Sequence, residues 1–296
     1  MPATTGADMA QHNRRNEILA AIGRAPMLSV GAARIIDLAA RADHELDDII
    51  DLVKNDAPLT AKLLRIVNSP AYGLLEPATS VERAVSYLGE NTVVSIVLEE
   101  TLGPLLNRPL DGYQSAGGDL WRHDLRVAIA AKEIALLNPR RCQPDTAFTA
   151  GLLHDIGKSV LSGFLRDEYH RIIDELMTRA IPDYTAGERE HLGIDHAEVG
   201  FTLAENWQLP EIIRMVIRHH HEPALAPEET RALVYTVHLG DILAMMGGYG
   251  TGTDNLFYRL DQSYVDWLNF GPGQIGPVML TVEEKFTETL QVMQLR

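Results

Sequence analysis

The sequence predicts an all-α protein built from two helical lobes. Apolar residues recur at spacings of three and four almost from end to end, with hardly any strand-like alternation. Clusters of Gly, Pro and Asn separate the periodic stretches. With 296 residues, 46% of them apolar, there is enough chain for one large core or two modest ones.

Taken in order, residues 1–12 are small and polar and are expected to be a disordered tail. Residues 13–102 read as the N-terminal lobe. Leu46, Ile49, Ile50 and Val53 form one helical stripe that ends near Asn55. Pro58 suits the first turn of the next helix, whose inward residues are Leu59, Leu63, Leu64 and Val67. That helix stops in the breakers Asn68-Ser-Pro-Ala-Tyr-Gly73. Ser80 is placed to cap a short helix ending at Gly89, and a further helix is expected from about Asn91 to Leu98. Residues 103–118, punctuated by Gly and Pro, are expected to link the lobes. The second lobe spans 119–246, and 247–296 form a Gly-rich loop followed by a helical extension from Thr281 to Met293.

Charge and cysteine usage narrow the class. Lys and Arg number 26 against 41 Asp and Glu, a net charge of −15, which argues against nucleic acid as the main partner. A single cysteine, Cys142, allows no internal disulfide. The first residues lack a signal-peptide core, and no run approaches the roughly 20 apolar residues that span a bilayer. A soluble, cytoplasmic protein without membrane contact is expected.

Chemistry concentrates in the second lobe, where nine of the eleven histidines fall between 123 and 238. His154 and Asp155 stand side by side in the apolar stretch Ala150-Gly-Leu-Leu-His-Asp-Ile-Gly-Lys158. Burying such a pair without partners is costly. Neighbours on a helix diverge by about 100°, so they can share one ion only at a helix edge or bend, and Gly157 offers a bend or a close approach. His123 lies on the inward stripe of Val127, Ala131 and Ile134, and His196 opens a helix behind Asp195 and Glu198. His220 and His221 end a helix that Pro223 stops, and Asp241 interrupts an apolar one. Each alone reads most simply as a hydrogen-bonded core or helix-end residue; seven together point to metal. Imidazoles with a few carboxylates suit iron, manganese, zinc or nickel. Glu188-Arg-Glu-His191 reads as a solvated face.

The pattern His123, His154-Asp155, Asp241 resembles the signature of the HD phosphohydrolase superfamily, and His196, His220 and His221 resemble the extra histidines of its two-metal HD-GYP branch. The N-terminal half is similar to the HDOD domain, through Asp56-Ala-Pro-Leu-Thr-Ala-Lys-Leu-Leu-Arg-Ile-Val-Asn-Ser-Pro-Ala-Tyr-Gly73, Ala84-Val-Ser-Tyr-Leu-Gly89 and Trp207-Gln-Leu-Pro210. The resemblance implies an all-helical HD-like lobe beside a second lobe, a role in bacterial signal transduction, and one or two divalent ions. One ion would use His123, His154, Asp155 and Asp241, and the other would share Asp155 and add His196, His220 and His221. Asp119 matches an acid that some HD-GYP members carry as a further ligand. After His221-Glu222 the chain reads Pro-Ala-Leu-Ala-Pro, without the Gly-Tyr-Pro of that branch. Two functions follow as expectations. The first is an HDOD signalling module that works through a protein partner. The second is a phosphohydrolase acting on a nucleotide or cyclic dinucleotide, with Asp155 at the metals and Lys158 gripping phosphate.

Overall fold

The computed structural model describes residues 6–293 except Ala42 and Leu256, and among these residues it is helical with no strand. The first helix, α1 (Gly6–Ile22), runs through most of the stretch read as a tail, of which residues 1–5 lie outside the described residues. Its polar side chains explain why. Gln11 donates to the Arg189 and Glu190 carbonyls, Arg14 pairs with Glu168 at 2.5 Å, and Arg15 binds Glu198 and the Gly193 carbonyl. These partners all belong to the second lobe, so α1 docks there by polar contacts that apolar periodicity does not report.

Local capping then sets the N-terminal lobe. Ser29 accepts from the Ala32 amide to start α2 (Val30–Ala39), and Asp48 accepts from the Glu45 amide at the start of α3 (Leu46–Lys54). Asp56 caps α4 (Ala57–Val67), with Pro58 in its first turn. The chain leaves through a turn closed by the Asn68 side chain, which bonds the Ala78 backbone in both directions. Ser80 caps α5 (Val81–Leu88), and Gly89 stops it at φ 74°. The next helix, α6 (Glu90–Leu106), runs eight residues past its expected end and carries Pro104 inside it. Leu102, Leu105 and Leu106 continue the buried stripe, and their burial offsets the one backbone hydrogen bond that Pro104, having no N–H, cannot donate. The link between lobes is correspondingly shorter and holds one turn, Asp111–Tyr113, pinned by the Leu110–Ser115 bridge.

In the second lobe α7 (Asp119–Leu137) is the central rod. It packs against α8 (Pro144–Leu153), α14 (Glu228–Met246) and α16 (Ile275–Met293). Between them run α9 (Lys158–Leu165), α10 (Tyr169–Met177), α11 (Tyr184–Leu192), α12 (His196–Asn206), α13 (Glu211–His219) and, after the Gly-rich loop, α15 (Tyr264–Leu268). The C-terminal region is therefore part of the lobe rather than an appendage, and α16 begins at Ile275, six residues before its expected start. One apolar core runs through both lobes. Each Leu or Ile fully withdrawn from water in it contributes about 1.5–3 kcal/mol before entropy is charged against it.

Candidate metal centre

His154 and Asp155 do not lie within a continuous helix. Helix α8 ends at Leu153, α9 starts at Lys158, and the four residues between form the bend that lets adjacent side chains converge. Two glycines fix that bend. A Cβ on Gly151 would sit 2.7 Å from the Ala128 Cα, so α8 presses directly on α7 and brings His154 beside His123. A Cβ on Gly157 would fall 1.9 Å from the His196 carbonyl oxygen, so the bend also seats the start of α12. Asp195 caps α12 by accepting from the Glu198 amide, which aims His196 inward. His220 and His221 follow the end of α13, and Asp241 comes from the middle of α14.

All seven residues meet. Six of them are no more than 2% exposed, and His221 is half-buried. The ring nitrogens are sorted by their partners. Nδ1 of His123, His154 and His220 donates to the carbonyls of Tyr249, Gly151 and Ile217 at 2.6, 2.8 and 2.9 Å. A carbonyl only accepts, so each Nδ1 carries the proton and each Nε2 presents a lone pair. Those three Nε2 atoms have no hydrogen bond.

Asp155 divides them. Its Oδ1 lies 3.3 Å from His196 Nε2 and 3.4 Å from His220 Nε2. Its Oδ2 lies 3.6 Å from His154 Nε2 and 3.7 Å from His123 Nε2. Asp241 Oδ1 stands 3.1 Å from His123 Nε2 and 3.8 Å from His154 Nε2, and the His196 and His221 Nε2 atoms are 2.9 Å apart. Donors held about 2.1 Å from one tetrahedral ion stand roughly 3.4 Å from each other, so these spacings fit an ion in each half. Asp124 also falls within reach of the His123 half. It faces His154 Nδ1 at 3.7 Å, behind the ring, and burial and Asp155 push its carboxyl well above the usual range. Lying behind the ring, Asp124 is poorly placed to share an ion with the Nε2 atoms, whereas Asp241 faces them.

The same fields split the imidazoles. Burial pushes His220 down to about 4. Burial acts on His196 too, but Glu188 and Asp155 outweigh it and push it up to about 10. An ion entering that half would take the place of a proton on His196 Nε2 and be held there by Asp155, while Glu188 on the other side of the ring keeps the Nδ1 proton.

A model of the HDOD domain matches residues 25–223. The chain belongs to the HDOD family. A Treponema pallidum (strain Nichols) protein described as uncharacterized is 28% identical over 195 residues, which is 66% of this chain and only 37% of that one. Among solved structures, an HDOD protein of unknown function from Geobacter sulfurreducens is 24% identical over 98% of this chain and 99% of its own, with a TM-score of 0.63. A candidate signal-transduction protein from Marinobacter aquaeolei VT8 is 23% identical over 96% and 66%, at 0.74. A candidate phosphohydrolase from Shewanella amazonensis SB2B is 22% identical over 94% and 96%, at 0.57. At these identities the likeness is one of fold. Asp241 and the Gly-rich loop lie beyond the matched stretch of the HDOD model.

Several residues stand differently from the sequence expectation. Glu188 is not on a solvated face: it is fully buried, and it accepts from His196 Nδ1 at 2.7 Å, the His196 amide at 2.9 Å and Tyr113 Oη at 2.5 Å. The inward spacing Tyr184, Glu188, Leu192 was the readable signal. Asp119 is half-buried and takes no part in either half of the centre, because its carboxylate accepts from the Ala116 amide and Arg122 at the start of its own helix. Lys158 is 2% exposed, with Nζ 2.7 Å from Asp155 Oδ2, 2.6 Å from Asp254 Oδ2 and 2.9 Å from Thr251 Oγ1. The Gly-rich loop thus closes over the centre. Tyr258 from the segment after it stacks on His221 at 4.0 Å between ring centres and donates to Asp254. Nothing in the spacing of that loop announced this.

Proposed function

We propose that this HDOD chain is a bacterial, cytoplasmic signal-transduction module whose second lobe holds one or two divalent transition-metal ions, and that it acts on a protein partner rather than on a substrate. The observation that carries the metal reading is Asp155, one oxygen turned to each set of histidines, as a bridging carboxylate requires. Burial supports the module over the enzyme. Six of the seven residues are almost fully buried beneath Tyr258 and the Gly-rich loop, and the nearby cation Lys158 is committed to Asp155 and Asp254. No helix among the described residues is long and apolar enough to cross a membrane. Elemental analysis of protein purified without chelator tests the reading. We expect one to two equivalents of iron, manganese, zinc or nickel, abolished in Asp155→Ala and cut by about half in His221→Ala; less than about 0.2 equivalents would overturn it.

The same bridging position favours a second reading, a metal-dependent phosphohydrolase acting on a nucleotide or cyclic dinucleotide. Bound ions would supply Lewis-acid polarisation of phosphate and water. Lys158 would have to leave Asp254 to meet a phosphate. Metal-loaded protein offered cyclic dinucleotides, cyclic mononucleotides and nucleoside phosphates decides between the two. Turnover lost in Asp155→Ala makes it an enzyme, and no turnover leaves the module.

A further inference from the structure

Beside α7, helices α14 and α16 line an open pocket of about 420 Å³ that the metal centre does not use. Its walls are largely apolar: Ala130, Leu243, Met279 and Val282, with Leu280, 77% exposed, at its rim. In the wall sits one charged group of unusual placement. Arg126 is only 7% exposed, and its guanidinium is sandwiched between the rings of Tyr249 and Phe286, 3.3 and 3.4 Å from their centres. Nε has no hydrogen bond. The carboxylate facing the group is Glu283, 3.7 Å away on the half-exposed outer side of α16, too long for a hydrogen bond and free to turn to solvent.

A buried cation is normally met by a buried anion with hydrogen bonds on its donor edge. Here two rings cover the faces of the guanidinium while Nε is left without a hydrogen bond. The pocket has the size and lining of a small-molecule site: apolar walls, the buried cation of Arg126, and the half-exposed Glu283 at the outer edge. We propose that it binds a small organic anion with an apolar body, the carboxylate or sulfonate on Arg126 and the hydrocarbon against Leu243, Met279 and Val282. The proposal does not depend on the metal reading, although Tyr249 serves both places: its ring covers Arg126 and its carbonyl accepts from His123.

Anilinonaphthalene sulfonate fluorescence on the full folded chain provides the probe, with decanoate, decanol and decylammonium as competitors. Saturable binding near one equivalent is expected, with decanoate displacing the probe at least about tenfold better than decanol and decylammonium failing to compete. Arg126→Met keeps the unbranched stem between the rings and removes the charge; it should lose most of the anion preference. Should that variant not fold, Leu280→Glu places a negative charge at an exposed rim position that packing does not need, and should weaken probe and decanoate about tenfold while thermal unfolding stays unchanged. Non-saturable binding, equal competition by decanol, or affinity untouched by the folded variants would overturn the proposal.

Discussion

Glu188→Gln is the most informative substitution at the metal centre. The side chain keeps its shape but loses its charge and exchanges one acceptor oxygen for a donor. Glu188 accepts three hydrogen bonds through two oxygens: Tyr113 Oη on one, and the His196 amide and Nδ1 on the other. With glutamine, either His196 or Tyr113 faces a donor. A charge-assisted bond of about 1.5–3 kcal/mol becomes a neutral one of about 0.5–1.5 kcal/mol, so a destabilisation of about 1–1.5 kcal/mol is expected. Alanine would orphan all three donors, at about 1–3 kcal/mol each, and endanger folding itself. The larger effect should appear in metal binding, because Glu188 fixes which nitrogen of His196 is protonated. Losing the partner of a ligating histidine costs typically ten- to a hundredfold in affinity. Competition titration with manganese or zinc should show one binding step weakened by that factor and the other, at His123 and His154, within about twofold of wild type. Two unchanged steps would refute the assignment of Glu188 as the orienting partner, and equal weakening of both would show that the halves are not separable.

Two further outcomes follow from single contacts. Gly157→Ala drives a methyl group into the His196 carbonyl, 1.9 Å from the ideal Cβ, and into the Gly200 amide at 2.6 Å, so α12 must shift. A loss of about 1–3 kcal/mol or more in denaturant unfolding is expected, together with weaker metal at the His196 half; wild-type stability would show that the bend relaxes. In the N-terminal lobe His44 donates from Nδ1 to the Arg41 carbonyl and pairs through Nε2 with Glu90 at 2.7 Å. Burial opposes its charge, but the Arg41 carbonyl and Glu90 outweigh it and raise its pKa above the ordinary value. A raised pKa stabilises the fold fully below the unfolded value, about 6.5, and loses that contribution as pH rises through the folded value. The melting-temperature gap between wild type and His44→Gln should therefore be wider at about pH 5.5 than at about pH 9, and a gap that widens with pH would contradict the pairing.

The sequence by itself determined the helical fold class and most of the helices, and it singled out the seven residues that the fold brings together. Helix identity is local: the stripe from Leu46 to Val53, the caps at Asp56 and Ser80 and the stop at Gly89 each act within one or two turns, so they were legible in order. The seven residues that meet at Asp155 were legible for a related reason. A histidine or carboxylate on an apolar stripe conflicts with its surroundings, and the conflict shows before the partner is known. What only the tertiary structure decided is everything that reaches across the chain. Gln11 and Arg15 tie α1 to partners more than 170 residues away. Glu188 on its short helix looked solvated, and the Gly-rich loop carries no periodicity. Yet Glu188 holds His196, Tyr249 holds His123, and Asp254 holds Lys158. These are polar contacts between segments far apart in sequence. Their energy depends on distance and burial in the folded chain, quantities that residue spacing along a helix does not encode.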